Sequence, residues 1–229
     1  MILNAVIFDL DNTLYDQSDY CFGAFGCIAG FIEKETGIIS EKTLNFMKML
    51  YVDKGPLYKY LFDDLISSFK IKKIKKKTLI DKFHGYEPLL HLEESVVELL
   101  DNLKVKYLLG LVTNGEGGMQ RRKAKSLGLD HWMDAIVYTD DYGIKYAKPH
   151  EFGYKVICKT LGMEPLEVVY VGDNPHCDFQ GANHVGITTI RVMNGPFADL
   201  KAFDKQTPNY EINNISALEE KINELLYMR

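Results

Sequence analysis

Ala5-Val6-Ile7-Phe8-Asp9-Leu10-Asp11-Asn12-Thr13 is the most telling stretch of the chain. Its first four residues are apolar, β-rich and too few for a helix, which marks a strand buried on both faces of a parallel sheet. Directly after it the chain turns acidic. Alternate positions along a strand share a side, and on the loop just beyond it Asp9 and Asp11 can converge on one metal and one electrophile. Two unpaired negative charges buried together are costly, so they must share a cation or a proton.

Four further runs have the same short, apolar, β-rich character: 107–112, 135–138, 168–171 and 188–192. Helical patterns fill the gaps at about 93–104, 116–127, 151–161 and 178–185, with a last one at 216–227 for which Ser216 and Glu219 fit a capping box. Strands alternating with helices predict an α/β fold with helices on both faces of a parallel sheet. Residues from about 18 to 85 break the alternation. They read as successive helices rich in Phe, Tyr, Leu, Ile and Lys, punctuated at Gly37, Gly55-Pro56 and Gly85. Phe22, Phe25, Ile28, Phe31 and Ile32 recur at helical spacing and read as core. A helical insert between the first two strands predicts a subdomain set over the strand ends: a core of residues 1–15 and 92–229, and a cap of 16–91.

Composition narrows the class. At 229 residues the chain is long enough for a core with an inserted subdomain. No run of about eighteen apolar residues occurs, so no membrane span is expected. Residues 2–8 read as a core strand rather than a signal peptide. Cys21, Cys27, Cys158 and Cys177 lack C-x-x-C spacing and read as reduced thiols in a cytoplasmic protein. The net charge of −5 argues against nucleic acid as a partner. The basic run from Lys70 to Lys77 reads as a solvated helix end or loop.

Three later loops follow predicted strands or precede a helix. Thr113-Asn114-Gly115 offers a hydroxyl, an amide and backbone N–H groups that can donate to phosphate oxygens. Lys148-Pro149 precedes the helix starting near Glu151. Gly172-Asp173-Asn174-Pro175-His176-Cys177-Asp178 brings two carboxylates five positions apart, a pattern that suits a hard cation with oxygen ligands. With Asp9 and Asp11 these loops are expected at the carboxyl ends of the strands, where open α/β sheets bind ligands.

In this order the motifs resemble those of the haloacid dehalogenase-like hydrolase superfamily: Asp-x-Asp-x-Thr/Val, a Ser/Thr after the second strand, a Lys commonly followed by Pro, and Gly-Asp-x-x-x-x-Asp. Here they are Asp9/Asp11/Thr13, Thr113, Lys148 and Asp173/Asp178. The resemblance covers essentially the whole chain and implies a Rossmann-like core with a C1-type helical cap, as in nucleotidases and sugar phosphatases. It also implies roles. Asp9 is the nucleophile that forms an aspartyl-phosphate. Asp11 is the acid that protonates the leaving alkoxide and then the base that activates water, a double role that needs a proton near neutral pH. Magnesium is held by Asp9, Asp173 and the backbone carbonyl of Asp11, with Asp178 acting directly or through water. Thr113 and the following N–H, with Asn114 beside them, bind phosphoryl oxygens, and Lys148 neutralises charge.

The expected activity is therefore magnesium-dependent hydrolysis of a small phosphorylated metabolite, a sugar phosphate or a nucleoside monophosphate. A phosphomutase of the same superfamily and a non-catalytic binding or regulatory module are the alternatives, and the oligomeric state is not read from the sequence. His176, Cys177 and His184 read as passive. Tyr15, Asp16 and Tyr20 lie where the chain leaves the core.

Overall fold

The computed structural model describes residues 2–227 and divides into two compact units: one holds the chain up to Asp16 and from His91 onward, the other Gln17–Leu90. In the first unit six strands, β1 (Ala5–Phe8), β2 (Leu108–Thr113), β3 (Ala135–Tyr138), β4 (Val168–Gly172), β5 (Thr188–Val192) and β6 (Tyr210–Ile212), form one sheet in the order β3-β2-β1-β4-β5-β6. Every pairing is parallel. This is the parallel α/β sheet that the alternating pattern predicts, in the Rossmann-like form that the resemblance implies.

β1 lies between β2 and β4, and its register sets the height at which the neighbouring loops leave the sheet. Phe8 pairs with Leu111 on one side and Val171 on the other. Asp9, the first residue beyond β1, is therefore level with the last residues of β2 and β4, Val112–Thr113 and Gly172, and the loops that follow leave the sheet close together. The strand order reverses direction at β1, the kind of switch point where α/β sheets bind ligands.

Burial explains why the strand runs are unbroken. Ala5 and Ile7 join Val112, Tyr170 and the inner faces of α7 (Phe152–Leu161) and α8 (Phe179–Val185) in one core cluster. Val6, Phe8, Leu109, Leu111, Val169 and Val171 lie outside that cluster and are equally buried, so the opposite face of the sheet is covered as well. There α5 (Glu94–Lys104) packs on β2 and buries Val96, Leu99, Leu100 and Leu103. α6 (Gly117–Ser126) starts where the Glu116 carboxylate accepts the N–H groups of Gly118 and Met119, a side-chain cap at its N-terminus.

Two sequence expectations need correction. β6 is missed: it has three residues, Tyr210 and Glu211 are exposed, and it pairs with β5 alone, so no apolar run marks it. The last helix, α9 (Leu218–Tyr227), begins later than expected and without the Ser216/Glu219 box. Ser216 sits in a preceding 3-10 turn with its hydroxyl on Asn214, while Glu219 takes Lys106 and Asn102. Long-range partners outbid a local cap.

The second unit consists of α1 (Gln17–Thr36), α2 (Ser40–Lys54), α3 (Leu61–Ser68) and α4 (Lys76–His84). Phe25, Ile28 and Ile32 are buried in it, with Phe22 and Phe31 half-buried. In the basic run Ile71 and Ile74 turn inward while Lys70, Lys72, Lys73, Lys75 and Lys77 face water. All four cysteines are free thiols, and among the described residues no helix is long and apolar enough to cross a membrane.

Gly181 on α8 shows how tightly the Lys148–Pro149 loop is held. A Cβ there would stand 2.4 Å from the Pro149 carbonyl oxygen and 3.0 Å from the Glu151 nitrogen, both backbone atoms that cannot rotate away. Gly181→Ala is expected to destabilise by about 1–3 kcal/mol through overpacking. The thermal midpoint should fall by about 2–4 °C per kcal/mol for a chain of this size. A variant melting with the parent protein would show that the loop yields freely.

Candidate active site

Asp9, Asp173 and Asp178 converge, each offering a carboxylate oxygen within 4.8 Å of the others, and all three are buried. Lys148 closes the group. Its Nζ lies 2.5 Å from Asp9 Oδ1 and 2.7 Å from Asp178 Oδ1, and it donates to the Tyr170 hydroxyl at 2.9 Å. Tyr170 in turn donates to Asp178 Oδ1 at 2.8 Å, and the Asn174 N–H donates to Asp178 Oδ2 at 2.9 Å. The Asp178 carboxylate packs so closely on Gly172 that a Cβ there would lie 2.7 Å from it. Arg191 of β5, itself buried, donates to the Asp173 carbonyl at 3.3 Å and to the carbonyls of Phe197 and Leu200, which steadies the loop.

The charges do not balance. Burial pushes the Asp9 carboxyl above the usual carboxylate range, Asp178 and Asp11 add to the rise, and Lys148 only partly opposes it. Asp173 is raised in the same way, by burial first and then by the charges of Asp178 and Asp9. Lys148 is held well above its ordinary value, because Asp178 and Asp9 outweigh the burial that would lower it. One ammonium among three carboxylates leaves negative charge to be matched. Asp173 Oδ2 is a buried oxygen with no hydrogen-bond partner, whereas both oxygens of Asp178 already have donors. A set of carboxylate oxygens with an orphan among them fits a hard divalent cation.

The side chain of Asp11 stands apart from that group and faces α6. Lys123 Nζ lies 2.7 and 3.0 Å from its two oxygens, Gln120 donates to Oδ2 at 2.9 Å, and the Tyr15 hydroxyl donates to Oδ1 at 2.6 Å. Burial alone would raise this carboxyl, but the Lys123 charge and the donors from Lys123, Tyr15 and Gln120 outweigh it and hold Asp11 below its ordinary value. The surroundings thus favour the carboxylate, contrary to the expectation of a proton held near neutral pH.

Thr113, at the end of β2, accepts from Gln120 at 2.6 Å and points its own hydroxyl at the Asn114 carbonyl, 3.3 Å away. The sequence offers the Asn114 amide to phosphate, but in the fold that amide brackets the backbone of Lys148. Nδ2 donates to the Lys148 carbonyl, and Oδ1 accepts from the Lys148 N–H, both at 2.9 Å, and from Thr139 at 2.8 Å. Its side chain therefore clamps the lysine loop, and its backbone N–H is what remains to meet an anion.

Tyr170, Gln120, Lys123, Thr139 and Arg191 escape the sequence reading. Tyr170 lies in an apolar strand run, which gives no sign that its hydroxyl is used. Gln120 and Lys123 had a signal: they sit at helical spacing among Met119, Ala124 and Leu127, so a polar pair occupies the inner stripe of α6. The passive residues stay outside. His176 is exposed, His184 pairs with Glu151 at 2.9 Å, and Cys177 is pushed up to about 11, chiefly by burial.

The chain is similar to known proteins over most of its length. Among curated relatives, a glyceraldehyde 3-phosphate phosphatase of Methanocaldococcus jannaschii is 29% identical, covering 98% of this chain and 99% of its own. The pyrophosphatase PpaX of Bacillus cereus is 27% identical over 84% of each. Among solved structures, YfnB of Bacillus subtilis, crystallised bound to magnesium, superposes with a TM-score of 0.68 at 20% identity over 97% of this chain and 100% of its own. An HAD phosphatase of Thermococcus onnurineus gives 0.63 at 22% identity over 96% and 98%. At such identities the structures speak for the fold alone. The family model described as haloacid dehalogenase-like hydrolase matches residues 6–192. That span runs from within β1 to the last residue of β5 and takes in every loop of the site, and the chain belongs to the haloacid dehalogenase-like hydrolases.

Proposed function

We propose that this chain is a magnesium-dependent phosphatase that hydrolyses a small phosphorylated metabolite through an aspartyl-phosphate on Asp9. The observation that carries the reading is the group of Asp9, Asp173 and Asp178 with its unpaired oxygen on Asp173, set at the strand switch point. Asp9 and Asp173, with the Asp11 carbonyl, are the residues assigned to magnesium. Asp178, whose oxygens are already engaged, is assigned to reach the ion through water. Bound there, the metal supplies positive charge against the phosphoryl oxygens.

The protein's own groups then divide the work. In the first step a bond forms between an Asp9 carboxylate oxygen and phosphorus, the bond from phosphorus to the substrate oxygen breaks, and a proton on Asp11 passes to that oxygen. In the second a water oxygen bonds to phosphorus, the Asp9 oxygen leaves, and the water proton goes to Asp11. The carboxylate form that Lys123 favours is the one the second step requires. Lys148 offsets charge on Asp9, and the Thr113 hydroxyl with the Asn114 N–H faces the phosphoryl oxygens. The relatives named glyceraldehyde 3-phosphate phosphatase support this reading, and on it sugar phosphates of triose size are expected to be turned over ahead of nucleoside monophosphates.

Phosphate release from a panel of triose, pentose and hexose phosphates, nucleoside monophosphates and pyrophosphate tests the substrate class. Asp9→Asn should reduce turnover to background with the fold intact, and substantial activity in that variant excludes the covalent route. Asp11→Asn is expected to cost far more on alkyl phosphates than on p-nitrophenyl phosphate, whose leaving group needs no proton. Equal losses would give Asp11 another role.

Chelation should abolish activity, magnesium should restore it, and calcium should do so poorly because it prefers larger and looser coordination. Asp173→Asn should remove the rise in thermal midpoint that magnesium gives, while melting above the wild type in chelator, since a buried repulsive charge is gone. Full activity in chelator with metal shown absent would refute the assignment.

A further inference from the structure

Lys123 and Gln120 occupy successive turns of the buried stripe of α6, and neither belongs to the motifs that carry the family resemblance. Lys123 is 1% exposed, yet it carries its ammonium to both oxygens of Asp11. Burying a lysine is unfavourable unless a paired charge compensates, so the position of Lys123 is fixed by Asp11 as firmly as Asp11 is fixed by Lys123. Gln120 is fully buried and spends its one amide group on two partners. Nε2 donates to Asp11 Oδ2 and to Thr113 Oγ1, at 2.9 and 2.6 Å.

That geometry acts on both Asp11 and Thr113. Asp11 sits on a tight turn beside Asn12, whose φ is 59°, and its side chain is 17% exposed. The restraint on its carboxylate comes from α6 and from Tyr15. Thr113, meanwhile, accepts from Gln120 at 2.6 Å and donates to the Asn114 carbonyl across a longer 3.3 Å. The shorter bond, from Gln120, is the one that orients the hydroxyl, and the longer one can be exchanged for a bond to an incoming oxygen. The Gly115 turn is packed against the same glutamine side chain, 3.2 Å from where a Cβ would stand.

We infer that Gln120 and Lys123 are positioning residues for the transfer. Lys123 acts through Asp11. Gln120 ties Asp11 to Thr113, so that the proton-carrying carboxyl and the phosphoryl-binding hydroxyl are held as one rigid body. The inference rests on the phosphatase reading of the site and assigns distinct kinetic signatures to the two side chains.

Steady-state kinetics of the full chain with magnesium, on the best alkyl phosphate of the panel and on p-nitrophenyl phosphate, test it. Lys123→Met should lower kcat on the alkyl phosphate by about 100-fold, the lower end of what general acid–base catalysis contributes. Its kcat on p-nitrophenyl phosphate should fall by less than about tenfold, with KM unchanged. Gln120→Leu should show the same leaving-group bias and in addition raise KM on both substrates, because Thr113 loses its orientation. The double variant Asp11→Asn/Lys123→Met should be no slower than Asp11→Asn alone, since residues acting as a unit are not additive.

Losses equal on the two substrates, or a double variant whose defects multiply, would overturn the positioning role and leave the phosphatase reading standing. If Lys123→Met shows no cooperative melting transition, Tyr15→Phe, which removes one hydroxyl donor to Asp11, takes its place. It should show the same leaving-group bias on a smaller scale, and an unbiased loss there would equally overturn the role. A wild-type protein that releases no phosphate from any ester of the panel would bring down both.

Discussion

One ammonium group surrounded by carboxylates governs this structure. Lys148 Nζ is buried with Asp9 and Asp178 in contact and Asp173 beside them. In water such a set would repel and disperse. Here strand ends and a helix start hold it in place, and its cost is borne by the hydrophobic sheet beneath. Removing one partner from a buried ion pair costs about 3–5 kcal/mol, because the other is left uncompensated. Each member is therefore held by several bonds: Asp178 by Lys148, Tyr170 and the Asn174 N–H, and the Lys148 backbone by both ends of the Asn114 amide.

The excess negative charge makes the site selective for what enters it. Alone, the group repels a phosphate ester. On the proposed reading, a divalent cation would make it a place for phosphoryl oxygens to meet positive charge and fixed N–H and O–H dipoles, with the Asp9 carboxylate as the attacking group. Asp11 is kept out of this set. Its oxygens answer to Lys123, Gln120 and Tyr15, so it titrates under different neighbours from Asp9 and Asp173. Separating a charge-holding group from a proton-carrying one is how carboxylates in one site come to play different parts.

The register of β1 turns these local bonds into a site. Because Phe8 is level with both Leu111 and Val171, three loops far apart in sequence leave the sheet close together. Lys148 reaches them from the segment before α7, and α8 pins that segment through the close approach of Gly181 to Pro149.

Most of the fold was legible in the sequence, and so were the residues at the head of each loop, for a plain physical reason. A strand buried on both faces must be apolar throughout, so Ala5–Phe8 and Val168–Val171 announce themselves, and carboxylates set directly after such a run have no structural excuse. The edge strand Tyr210–Ile212 did not announce itself, because with one neighbour and exposed side chains it needs no apolar pattern. The cap at Ser216 failed because Glu219 found Lys106, more than a hundred residues earlier in the chain, a partner that no local rule contains. Which oxygen each donor serves was likewise decided by tertiary structure alone. That Asn114 clamps Lys148 instead of reaching outward, that Tyr170 turns its hydroxyl to Asp178, and that Lys123 and Gln120 take hold of Asp11 all depend on distances of 2.7–3.0 Å between residues whose nearness only the packed sheet creates. Hydrophobic periodicity is written along the chain, whereas the pairing of buried charges is settled across it.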